Sequence, residues 1–109
     1  MTDRELLEAA AKAAGIELLW HNFSSIPSLW EGLGSDTVWN PLTDDGDAFR
    51  LMVNLRLVVD AGGVTPRNER IYVGGLEGYL ADEPTGADIC AATRRAIVRA
   101  AAEIGRSKT

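Results

Sequence analysis

Apolar residues recur at helical spacing from the start of the chain, with Leu6, Ala9, Ala10, Ala13 and Ala14 falling on one face of a 3.6-residue period. Thr2-Asp3-Arg4-Glu5 ahead of them is a capping-box pattern and Gly15 behind them supplies a left-handed stop, which predicts a first helix. The period then changes: Ile16, Leu18 and Trp20 alternate, as on one face of a short strand. Residues 21–38 keep neither period. Ser, Gly and Pro are scattered there among Ile26, Leu29, Trp30 and Leu33, which reads as a long connection, pinned by its own aromatics or mobile.

A second helix is expected from Asp44 to about Leu55. Ala48, Phe49, Leu51, Met52, Val53 and Leu55 leave only Asp47, Arg50 and Asn54 as a polar stripe. Such a helix should be buried on most sides, by the sheet and another helix together or by a second subunit. Leu55 to Asp60 reads as a strand, ended by Ala61-Gly62-Gly63 and a polar loop through Asn68.

Arg70 to Val73, Gly74-Gly75 and Leu76 to Leu80 form a hairpin pattern in which the glycine pair supplies the positive φ of a two-residue turn. That turn sets Val73 opposite Leu76 and Ile71 opposite Gly78 on the core side. Tyr72 then faces Glu77, and Arg70 faces Tyr79, on the other side. Asp88 caps a last helix with a stripe of Ile89, Thr93, Ala96, Ile97, Ala100 and Ile104, closing at Gly105. The order helix, strand, helix, three strands, helix predicts an α+β domain over residues 1–109, with a small, mainly antiparallel sheet of three to four strands packed by three helices.

Composition sharpens this only where it excludes something. A chain of 109 residues buries a core without staples, and its single cysteine, Cys90, rules out an intrachain disulfide or a cysteine metal cage. No run approaches the ~20 apolar residues of a membrane span. Met1-Thr2-Asp3-Arg4-Glu5 lacks the basic start of a signal peptide, so the cytosol is the expected compartment. Residues 1–55 carry nine carboxylates against three bases, and residues 56–109 seven against eight. A net charge of −5 argues against non-specific DNA binding.

The densest chemistry lies in Trp39-Asn40-Pro41-Leu42-Thr43-Asp44-Asp45-Gly46-Asp47-Ala48. Pro41 pushes Asn40 out of helical geometry, Thr43 is placed to accept amides of the first turn, and Asp44, Asp45 and Asp47 sit at the positive end of the helix dipole. Their spacing does not fit a calcium loop. Capping therefore accounts for them, no metal or cofactor site is expected, and Trp39 reads as a core or staple contact. His21 is the only histidine, and Ser24, Ser25 and Ser28 near it show no nucleophile-elbow pattern. Cys90, in the first turn of the last helix, reads as a small buried thiol rather than a nucleophile. Gly62-Gly63 and Gly74-Gly75 precede strand-like residues, so they are turns and not phosphate loops.

No catalytic set emerges, which leaves interaction candidates. Arg70, Tyr72, Glu77 and Tyr79 would form a polar-aromatic strip on one sheet face, suited to protein contacts or stacked bases, with a covering helix or a plain solvated sheet face as the more economical reading. Trp30 belongs to the aromatic-rich connection. Arg95 and Arg99, one turn apart, are placed to grip a phosphate or an acidic partner. With Arg94 and Arg106 they otherwise form a solvated face, or meet the acidic front half of another copy.

The segment Trp39 to Leu51, taken with Ala91-Ala92-Thr93-Arg94-Arg95-Ala96-Ile97-Val98-Arg99-Ala100, resembles small uncharacterised proteins of tailed bacteriophages and prophages, the phage ABA-sandwich domain group. The resemblance covers most of the chain except residues 21–38, which look like a variable insertion. It implies a phage accessory product in the host bacterial cytoplasm and transfers no site. The expected function is non-enzymatic binding of a host or phage protein, with a homodimer as one form. The alternative is an anti-defence protein, either a DNA mimic or a binder of a signalling nucleotide. An enzyme built on His21, Cys90 or the aspartates ranks third.

Overall fold

The first helix begins and ends where its polar residues place it. In the computed structural model, which describes residues 1–20, 27–30, 36–60 and 70–108, helix α1 spans Asp3–Ala14. The Thr2 hydroxyl accepts from the Glu5 amide at 3.1 Å, and the Glu5 carboxylate accepts from the Thr2 amide at 3.4 Å, closing the capping box. Gly15 ends the helix with φ of 74°.

Among the described residues the remaining elements are β1 (Leu18–Trp20), β2 (Pro27–Trp30), β3 (Asp36–Val38), α2 (Asp45–Asn54), β4 (Val58–Asp60), β5 (Arg70–Gly75), β6 (Gly78–Pro84) and α3 (Ile89–Ser107). The fold is α+β. Among the described residues the strands form two three-stranded antiparallel sheets, ordered β1-β2-β3 and β4-β5-β6. The first corrects the reading of 21–38 as a long connection without strands: β2 pairs with β1, Leu18 opposite Leu29, and β3 pairs with β2, Ser28 opposite Val38. Strands of three or four residues are too short to show a period in sequence. His21, Ser24, Ser25, Ile26 and Leu33, like the loop through Gly62, Gly63 and Asn68, lie outside the described residues.

Helix α3 organises the core. Its Ala96, Ile97, Val98, Ala100, Ala101 and Ala102 are buried against α1 and the β4-β5-β6 sheet, which contributes Ile71, Val73 and Ala81. Trp39, Leu51 and Leu57 complete the cluster. Helices α1 and α3 run parallel: Asp3 pairs with Arg95 at 3.1 Å, and Lys108 Nζ donates to the Ala13 carbonyl at 3.1 Å. Between these ends Gly105 meets α1 so closely that a Cβ on it would lie 1.9 Å from the Ala9 carbonyl oxygen. The expectation that Gly105 closes the helix is thereby corrected. The helix continues to Ser107, and the glycine serves helix-to-helix approach instead.

The hairpin forms, but its turn lies two residues further on. Gly75 pairs with Gly78, so Leu76 and Glu77 are the turn residues. Only Gly78 there adopts positive φ, at 115°. A turn closed by a left-handed glycine replaces the expected glycine-pair turn. A shift between Val73 and Gly74 then puts Val73 opposite Ala81 and Tyr72 opposite Asp82. Strand β4 is shorter than the expected Leu55 to Asp60, because Arg56 takes φ of 54° and breaks the extended run. No helix among the described residues is long and apolar enough to cross a membrane.

Candidate functional site

The tryptophan-to-aspartate segment is a wound corner in which each carboxylate has a separate task. Asp44, not Thr43, is the N-cap of α2, accepting from the Asp47 amide at 2.8 Å. The Asn40 side chain accepts from the Leu42 amide at 3.1 Å, turning the chain at Pro41. Asp47 is buried. One of its oxygens accepts from the Asn40 amide at 2.9 Å, and the other from Arg50 at 2.7 Å. Asp45 instead takes Arg94 of α3 at 2.6 Å. Arg50 lies between Asp47 and Asp44, 3.9 Å from the latter, while Asp45 faces Arg94, and among the described residues no group of three or more His, Cys, Asp or Glu is placed to hold a metal ion.

The four arginines of α3 make ion pairs within the chain, and Arg99 and Arg106 remain exposed, as on the expected solvated face. Arg94 donates to the Leu42 carbonyl at 2.9 Å besides pairing with Asp45. Arg99 Nη1 donates to Glu83 and to the Asp82 carbonyl, each at 2.8 Å, and Arg95 reaches the same Glu83 at 3.6 Å and Asp3 at 3.1 Å. Arg106 pairs with Glu103 at 3.2 Å. A polar cleft of about 380 Å³ opens among Arg95, Arg99, Arg106, Glu83 and Glu103, its guanidiniums already faced by carboxylates. It clamps α3 to β6, and an incoming phosphate would have to displace those carboxylates.

On the outer sheet face Arg70, Tyr72 and Tyr79 do come together, but around Asp82 and not Glu77, which sits in the turn. Asp82 accepts from Arg70 Nε and from the Tyr79 hydroxyl, and it lies opposite Tyr72, which in turn faces Asp60. The Tyr79 hydroxyl and then the Arg70 guanidinium hold the Asp82 carboxyl below the usual carboxylate range. The same bond pushes the Tyr79 phenol up, and Arg70 is raised by Asp82. Asp82 escaped the sequence reading because its place on this face depends on the turn. A Leu-Glu-Gly turn with glycine third was the available signal. Trp30 ends β2 opposite Asp36.

Within the chain, helix α2 is not covered on most sides by the sheet and another helix: only Asp47, Ala48 and Leu51 are buried, while Phe49 is 61% and Val53 55% exposed. Cys90, expected in the core, is exposed, and Ile89 beside it is 50% exposed. These residues border an apolar groove of about 380 Å³ between α2, β4 and the first turns of α3, lined chiefly by Phe49, Met52, Val59, Ile89 and Ile97, with Cys90 and the Asp45–Arg94 pair. The stripe on α3 splits here: Ile97 reaches the core, while Ile89 and Thr93 face the groove.

No family model, curated protein or solved structure matches the chain.

Proposed function

We propose that this chain acts by binding another protein and turns over no substrate, as a phage or prophage accessory product inside its bacterial host. The supporting observation is the groove between α2 and α3, where an exposed aromatic and aliphatic residues from three elements gather beside partly buried Met52 and Val59. Large apolar side chains grouped around a concave surface, with charges at its margin, are the ordinary make-up of a protein-docking site. The phage setting rests on the likeness of the Trp39 to Leu51 and Ala91 to Ala100 segments. The anti-defence alternative draws less support. Asp44 and Asp47 are faced by Arg50 and Asp45 by Arg94, which does not suit a bare phosphate-like row, and Arg95 and Arg99 are held by Glu83.

Crosslinking mass spectrometry in bacterial lysate, run with the wild-type chain and with a Phe49→Ser/Ile89→Ser variant, tests this reading. The expected outcome is a specific protein crosslinked near α2 and α3 in the wild type and lost in the variant. Crosslinks indifferent to the double substitution, or none above background, would overturn it.

A further inference from the structure

We draw no further inference here: the strongest candidate, the apolar groove between α2, β4 and the first turns of α3, has nothing in the structure to show what covers it, since the one acid and the one base of its lining, Asp45 and Arg94, pair with each other.

Discussion

Helix α3 meets its two helical neighbours in opposite ways. Toward α1 it presents alanines and Gly105, and the backbones approach until no room is left for a methyl group. Toward α2 it presents Ile89, Thr93 and Ile97, and the opposing Phe49 and Met52 hold that helix off, leaving a groove joined chiefly by the Arg94 clasp. Small side chains close an interface and large ones leave it unfilled unless a further element completes it. Apolar content alone therefore does not say which face is core. Side-chain size on both partners decides.

The sharpest way to break this contrast is to spoil the closed side. Gly105→Ala places a carbon inside the Ala9 carbonyl, forces α1 and α3 apart, and should cost about 3 kcal/mol or more, read from the urea midpoint. Arg94→Ala attacks the open side. It removes the charged donor to the Leu42 carbonyl and Asp45, with an expected loss of about 1–2 kcal/mol and faster amide exchange in α2. Phe49→Ser and Ile89→Ser, in contrast, should change the urea midpoint by no more than about 0.5 kcal/mol, since both side chains are largely in solvent already. A large loss from either would show that the groove is core after all.

The outer sheet face supplies a pH-dependent control. The Asp82 carboxyl is held below its ordinary range in the folded chain, so its contribution is fully present above the unfolded carboxylate pKa and is lost as pH falls through the lower folded value. The wild type should therefore lose thermal stability on acidification below the ordinary carboxylate range more steeply than Asp82→Asn. Equal slopes in a thermal melt series would remove the role given to this carboxylate.

Elements whose signal is local were legible in the sequence. The Thr2 box, Gly15 and the Asp88 cap each depend on residues three or four apart, and the helices they bound appear where expected. The burial of Trp39 likewise followed from its place at a helix entrance. What escaped depends on contacts distant in sequence. Gly105 looks like a stop until α1 is beside it, and Cys90 and Phe49 look like core until the width of the α2–α3 gap is known. Strand β2 is defined by its pairing with β1, and β3 by its pairing with β2. The hairpin shows the same limit at short range. Its strands were evident, but whether Gly75 or Gly78 takes the positive φ decided which carboxylate joined Arg70 and the tyrosines.

The missing side chain at Gly105 also bears on motion. A helix seated backbone against backbone on its neighbour has no slack through which to roll or slide, so the wall that α3 lends to the groove is stiff before anything docks there. Whatever settles against it must conform to that wall, and the rearrangement that accompanies docking falls to the incoming segment and to α2.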